Sequence, residues 1–382
     1  MCRHESVWRR SAQWNMVGYG VKLAIVGMPQ SGKTTIFDAL TGGRASSTAY
    51  SPTLAANIGV AKVPDSRLHV LEGIFRPRKT VPAEVSCIDI PGSLKGFGKE
   101  GLGGELLGYL TTADALLQVV RTFAGDEVPH PEGSIDPGRD MESLDLELAV
   151  SDLAIIERRL EKLETGWKGA GAIKRESYAK EQLLLQKVKS GLESDIPIRR
   201  QGLTAEELKM LSSYQFLTAK PILVVLNTGE EQIPHASQLE HEIGSLHPQF
   251  AVVALCGKLE MELAQLSDVE AAEFREAMGL ATSALDRVID RSYELLGLIS
   301  FFTTVSAELK AWTVPRDTPA PKAAGKVHSD MERGFIRAEV VSYRDLESCG
   351  SLAEARRRGL LRTEGKSYVV QDGDIVTFLF NV

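Results

Sequence analysis

The chain has 382 residues, more than a single ordinary core of about 100–200 residues accounts for, so two or three modules are expected. Apolar residues make up 43% and charged residues 25%, which excludes a wholly disordered chain, a collagen and a disulfide scaffold. A formal charge of −7 and the lack of any apolar run of about 18 residues exclude a uniformly basic DNA binder and a membrane-spanning helix.

Residues 1–16 carry Arg3, Arg9 and Arg10 but no apolar segment after them, so they do not read as a secretory signal. They read as a disordered extension ahead of Met16. Cys2, Cys87, Cys256 and Cys349 form no C-x-x-C pair and no metal spacing, which suits reduced thiols in a cytoplasmic protein.

Val21–Val26 is a short apolar, β-branched run that reads as a buried strand. Gly27-Met28-Pro29-Gln30-Ser31-Gly32-Lys33-Thr34 follows and fits the phosphate-loop pattern G-x-x-x-x-G-K-[S/T], with a helical pattern from Thr35 to Leu40. The glycines permit close backbone approach, and the loop N–H groups face phosphates at a helix N-terminus. Lys33 supplies charge to the β- and γ-phosphates, and the Thr34 hydroxyl suits Mg²⁺. Met28 to Thr35 are therefore the expected nucleotide contacts.

A second strand, Val85–Ile90, runs into Pro91-Gly92 and makes an Asp-x-x-Gly motif of Asp89 to Gly92. Asp89 is the expected Mg²⁺ partner, and Gly92 the expected γ-phosphate sensor. Lys95 to Gly104 is glycine-rich and reads as a switch loop. Thr48 and Thr53 both suit the other switch, as the threonine that closes on Mg²⁺.

Leu146, Val150, Leu153, Ile156, Leu160 and Leu163 recur at helical spacing, and Glu181–Val188 reads as a returning helix. Residues 131–209 are thus an antiparallel helical arm, either a solvated structural hairpin or a partner-docking element. Residues 141–202 hold 11 basic and 11 acidic side chains, so the arm is no cationic rod.

Pro221–Leu226 reads as a buried parallel strand ending in Asn227-Thr228-Gly229-Glu230. GTPases usually place Asn-Lys-x-Asp here, and the Asp accepts from guanine. This chain lacks both the Lys and the Asp, while Asn227 can address adenine N6 and N7, so the residues lean toward ATP or relaxed base choice. Ala251–Leu255 is a further strand ending in Cys256-Gly257-Lys258, at the base edge. The expected P-loop domain is 17–130 with 210–298.

From about Ile299 the runs 301–305, 335–341, 367–370 and 375–380 read as strands and Ser351–Arg358 as a helix, a compact α+β domain over 299–382. Arg356, Arg357, Arg358 and Arg362 form a local basic patch.

The order of elements resembles the YchF-type Obg-like ATPases, a family of translation-factor-related P-loop NTPases. The resemblance rests on Ala311–Val314, Ala320–Gly325, His328–Glu339 and Glu364–Asp374, which are similar to that family's TGS domain, a β-grasp module. Asn57–Val60, Val63–Leu68, Lys95-Gly96 and Gly101–Gly103 are similar to its switch regions. The resemblance covers nearly everything after Gly20. It implies ATP preferred over GTP, Mg²⁺ dependence and binding to ribosomal particles, and it makes Thr53 the better switch threonine. The implied fold is an α/β P-loop (Ras-like) domain with an inserted antiparallel helical arm and a C-terminal β-grasp (TGS) domain.

Several residues depart from the family pattern. Gln30 stands where the family usually has Asn, a residue tied to monovalent-cation use in related GTPases, which counts against a K⁺ requirement. Pro91 and Ser93 stand where Ala and Leu are usual, and Cys256 replaces a usual Ser. Gln118, before Val119-Val120-Arg121, replaces a His; it can orient water but cannot act as a base near neutral pH. The expected chemistry is slow hydrolysis of ATP to ADP and phosphate. Lys33, Thr53, Gly92 and Gln118 would act at the reacting phosphate, and Thr34, Thr53 and Asp89 at the metal. The expected partners are ATP or ADP and the ribosome or its large subunit, with no membrane and no DNA, the chain itself being a monomer. Two other readings stand beside it: a true GTPase of the Obg class, and a nucleotide-gated binding module in stress signalling.

Overall fold

The computed structural model describes residues 20–43, 56–91, 104–125, 129–167, 171–280, 282–305 and 307–381. Thr48, Thr53, Gly92, Ser93, the 95–103 segment and residues 1–16 lie outside them. The chain divides into two compact units. The first takes Lys22–Gly59 and Ser86–Val288, and the second takes Val60–Val85 and Ile289 onward. Residues 60–85, which the sequence reading put with the nucleotide domain, thus group with the C-terminal part.

The first unit is built on a six-stranded sheet. Its strands are β1 (Val21–Gly27), β2 (Asn57–Lys62), β4 (Glu84–Asp89), β5 (Ala115–Arg121), β6 (Ile222–Asn227) and β7 (Ala251–Leu255), in the order β2-β4-β1-β5-β6-β7; β3 (Lys79–Val81) lies in the second sheet. Strands β1 and β5, β5 and β6, and β6 and β7 pair in parallel, with Gly27 beside Val119 and Val119 beside Val225. Strands β5 and β6 are buried at every position, which is why β6 reads as a continuous apolar run rather than an alternating one. Helices α1 (Lys33–Thr41) and α3 (Gly104–Thr112) belong to this unit, and α2 (Arg67–Phe75) to the second. Ala24, Ile88, Leu110, Leu116 and Val224 fill the core between sheet and helices.

The arm is α4 (Pro137–Trp167) and α5 (Ala172–Glu193), longer than expected: α4 continues through Gly166, and α5 starts nine residues before Glu181. The buried stripe of α4 also differs. Met141, Leu144 and Leu148 pack on the sheet core, Ile156 and Leu163 in the arm, and Leu146 and Val150 are 52% and 48% exposed. The seam therefore runs 141–144–148–152–156–163, and Asp152 occupies a position where the periodicity expects an apolar residue. Ile156, Leu163, Leu184, Leu185 and Val188 form the arm's own small core. Arg159 grips Glu181 across it with Nε–Oε1 at 2.8 Å and Nη2–Oε2 at 2.9 Å. Helices α6 (Ala205–Leu211), α7 (Ala236–Leu246), α8 (Gly257–Leu263), α9 (Asp268–Ala277) and α10 (Ala284–Leu296) complete this part of the chain.

The second sheet contains β3, β8 (Leu298–Val305), β9 (Glu308–Pro315), β10 (Phe335–Ser342), β11 (Arg362–Glu364) and β12 (Asp374–Phe380), in the order β11-β10-β12-β8-β9-β3. Strand β9 was unread in the sequence although Leu309, Ala311 and Val314 are buried between half-buried neighbours. The expected strand at 367–370 is not one. Val369 makes only an isolated bridge to Pro319, which has no N–H to donate to a ladder. Helices α11 (Ala320–Val327) and α12 (Ser329–Arg333) pack on the core of Phe301, Ala338 and Val340 through Ala320, Ala323, Ala324 and Met331, and α13 (Tyr343–Cys349) and α14 (Leu352–Arg357) follow β10. The arginines of α14 are neutralised locally: Arg357 and Arg358 pair with Glu354, and Arg356 with Glu339.

Candidate nucleotide site

The parallel strands end together at one edge of the first sheet, and their C-terminal ends carry the candidate residues, as in open α/β sheets generally. Strand β1 stops at Gly27, whose φ of 152° and contact with the Val119 carbonyl leave no room for a Cβ. Gly32 caps α1 with φ 93°, and a Cβ there would strike Asn227 Nδ2. Gln30 adopts a left-handed φ of 63°, unusual for a side chain of its size.

Lys33 lies on this loop, and its Nζ donates to the Gly27 carbonyl at 3.1 Å and the Met28 carbonyl at 3.0 Å. Burial lowers its pKa, and the Asp89 charge opposes that shift. Thr34, exposed at the start of α1, donates through Oγ1 to Asp89 Oδ2 at 3.0 Å. Asp89 is 3% exposed, and its Oδ1 has no hydrogen-bond partner among the described residues. A buried carboxylate oxygen without a hydrogen-bond donor, next to a hydroxyl oxygen, is an oxygen donor set that a hard divalent cation takes, so Asp89 and Thr34 fit Mg²⁺. Thr35 is half-buried one residue further along α1.

The base end is arranged differently. Asn227 donates through Nδ2 to the Ser31 carbonyl at 2.9 Å and accepts from the Gly257 N–H at 3.0 Å through Oδ1. Its amide thereby ties the phosphate loop to the start of α8. Among the described residues the buried Thr228 Oγ1 has no hydrogen-bond partner, while the Thr228 N–H donates to the Leu255 carbonyl. Glu230 pairs with Lys258 at 2.7 Å on the surface. Cys256 is buried at the end of β7, and burial raises its thiol pKa.

Gln118 is not placed as the sequence reading expected. It is 1% exposed, and its Nε2 donates to the carbonyls of Asp140 and Met141 at 2.9 and 3.3 Å. That amide nitrogen holds the first turn of α4, and its Oε1 has no hydrogen-bond partner among the described residues. Beneath the loop Gln118 lines a cavity of about 10 Å³ together with Ser31, His130 and Asp140. His130 Nε2 and Asp140 Oδ2 are 2.9 Å apart, and Arg139 Nη2 holds the other Asp140 oxygen at 2.8 Å. Sequence reasoning passed over His130, which sits in an irregular connection with no periodic signal; only the fold brings it under the loop.

The strand order, the glycine loop with its lysine, and the carboxylate ending β4 define a P-loop NTPase. A family model described as "50S ribosome-binding GTPase" matches residues 22–156. A model for the YchF GTPase C-terminal region, described as "Protein of unknown function (DUF933)", matches residues 298–381. The chain is 40% identical over 365 residues to the "Ribosome-binding ATPase YchF" of Bacillus subtilis, covering 94% of this chain and 98% of that one. It is 35% identical over 373 residues to the "Obg-like ATPase 1" of Caenorhabditis elegans, covering 96% and 93%. The solved structure of the Schizosaccharomyces pombe YchF GTPase superposes with a TM-score of 0.81 at 30% identity, covering 96% of this chain and 100% of that one. The chain belongs to the YchF family of Obg-like P-loop NTPases. Among the described residues no helix is long and apolar enough to cross a membrane.

Proposed function

We propose that this protein is a cytoplasmic ribosome-associated ATPase that hydrolyses ATP slowly to ADP and phosphate and uses the hydrolysis as a conformational switch. The observation that carries the reading is the Thr34–Asp89 pair with its unpartnered Asp89 oxygen, within the charge field of Lys33. The ribosome and ATP enter through the names of relatives about 40% identical along nearly the whole chain.

The residues divide the work by chemistry. The loop N–H groups from Met28 to Thr35 bind and orient the phosphates, and Lys33 offsets the charge that grows on them. Thr34 and Asp89 would hold Mg²⁺, which supplies charge neutralisation at the β- and γ-phosphates when bound. Thr53 retains its assignment from sequence as the switch threonine that closes on Mg²⁺, and Gly92 as the γ-phosphate sensor. No described side chain beside the loop is a free general base, which supports slow turnover and a switch that relaxes after hydrolysis. The absence of Lys and Asp after Asn227 supports ATP, and Gln30 in place of Asn argues against a K⁺ requirement.

A second reading, a GTPase of the same architecture, draws on the words "GTPase" in the matched family description and in the neighbouring structure's name. Parallel ATP and GTP titrations of the purified chain separate the two. The expected result is tighter ATP binding, with phosphate release that rises when large ribosomal subunits are added. GTP bound tenfold or more tightly than ATP would overturn the ATPase reading (a difference of about 1.4 kcal/mol).

A further inference from the structure

Asp152 is a carboxylate inside the apolar stripe of α4, one turn from Leu148 and one from Ile156, and it is fully buried. It is not idle there. Oδ1 accepts the Leu217 N–H at 2.9 Å, and Oδ2 accepts the Thr218 N–H at 2.8 Å and the Thr218 hydroxyl at 2.7 Å. Two residues on, Lys220 is also buried, and its Nζ donates to the carbonyls of Thr111 and Ala113 at 2.9 and 2.6 Å. Those carbonyls end α3, the helix the chain enters after the Asp89–Gly92 motif. The short 217–220 segment, closed by a Lys220 N–H to Leu217 carbonyl bond, therefore joins the end of α3 to the first half of α4.

The chemistry of this chain is unusual for a mere spacer. A stripe position on a helix and a helix C-terminus can each be satisfied by apolar packing or water, with no buried charge. Here a buried carboxylate and a buried ammonium are both tied to one four-residue segment. Burial pushes the Asp152 carboxyl up to about 6, opposed by its hydrogen bonds from Thr218 and Leu217 and by Lys220, and the Lys220 ammonium down to about 8, opposed by Asp114 and then Asp152. Such groups are sensitive to small displacements, because a buried charge that loses a donor or acceptor is left unsatisfied.

We propose that Lys220 and Asp152 are positioning residues of a buried polar relay, through which the pose of α3 sets the pose of the arm. A shift of α3 moves the carbonyls that hold Lys220, the 217–220 turn follows, and α4 is drawn by the donors on Asp152. The inference rests on the nucleotide-switch reading given above. It adds the route by which a change near the phosphates reaches residues 137–193.

Hydrogen–deuterium exchange on the full chain, with ADP and with a non-hydrolysable ATP analogue, tests it. Wild type is expected to show a nucleotide-dependent difference in α4 and α5. Lys220→Met is expected to shrink that difference about fivefold or more and Thr218→Val by about twofold, with analogue affinity held within about threefold. Thr218→Val removes only a hydroxyl, so it reads the relay even where Lys220→Met fails to fold. Glu157→Gln is the control: it loosens α4 from Lys189 of α5, paired at 2.9 Å, without touching Asp152, Lys220 or the 217–220 segment, and it is expected to keep the difference. An unchanged difference in the folded relay variants, or an equal loss in Glu157→Gln, overturns the relay. So does a wild type that binds the analogue with no change in the arm. A wild type that binds neither nucleotide takes down the functional reading and the relay with it.

Discussion

The phosphate end and the base end of the site are built on opposite plans. At the phosphate end the recognising groups are backbone N–H groups, so what matters is spacing and glycine, both of which lie in the single stretch 27–34. At the base end the groups are side chains from the ends of β6 and β7, and two of them are already engaged. Asn227 holds Ser31 and Gly257, and Glu230 holds Lys258. A motif position therefore names a residue type, but not which of its hydrogen bonds remain open to a ligand. On the proposed reading the phosphate end recognises the ligand and Asn227 braces the loop that does so.

The largest expected effect tests the phosphate end. Lys33→Ala and Asp89→Asn should each lower single-turnover hydrolysis roughly 10²–10³-fold, because each removes one preorganised charge from the reacting phosphate. Phosphate release from saturated enzyme measures it. A loss of less than about tenfold for both would mean that the backbone alone does the work. Next comes the brace. Asn227→Ala should weaken ATP and GTP binding by a similar factor of about ten, since it frees the phosphate loop from α8 by deleting two buried hydrogen bonds. Calorimetry with both nucleotides is the check. A loss confined to ATP would return Asn227 to the role of adenine reader.

The same contrast explains what could be read in the sequence. Strand β6 was legible because it is buried at every position and forms an uninterrupted apolar run, whereas β5, equally buried, carries Gln118 and Arg121 and was not read as a strand. The phosphate loop, Thr34 and Asp89 were legible because their spacing is local. Strand β3 was not, since three residues carry no periodic signal and its partner β9 lies more than two hundred residues away. Gln118 was misplaced for a related reason: neither the strand it sits on nor the packing that turns its amide to the start of α4 shows in local spacing. Asp152 was overlooked because the apolar period was counted through Leu146 and Val150, which face out.

Gln118 provides a smaller test of that correction. Gln118→Leu should lower unfolding stability by about 1–3 kcal/mol, as two α4 carbonyls lose a buried donor, and change the hydrolysis rate by less than about threefold. Chemical denaturation and phosphate release on one sample separate the two. A rate loss near that of Lys33→Ala with unchanged stability would put Gln118 back at the phosphate end. The thiols give a finer check on burial. Cys87, pushed up to about 12, and Cys256, raised by the same cause, stay protonated at pH 8 and should resist alkylation in the native chain, while half-exposed Cys349 reacts. Mass spectrometry after a timed iodoacetamide pulse reads all three.

The smallest expected effect concerns Glu230, the residue standing where a guanine-reading Asp is usual. Its carboxylate is 60% exposed and paired with a Lys258 that is 65% exposed, and surface pairs of this kind contribute about 0–1 kcal/mol. Glu230→Ala should therefore leave stability almost unchanged and move the ratio of ATP to GTP affinity by no more than about fivefold. The reasoning is that discrimination at this end comes from what the loop lacks rather than from a contact Glu230 makes. Paired titrations of the variant decide it. A tenfold or larger change in the ratio would show that Glu230 leaves Lys258 to read the base, and the base end would then be a recognition surface in its own right.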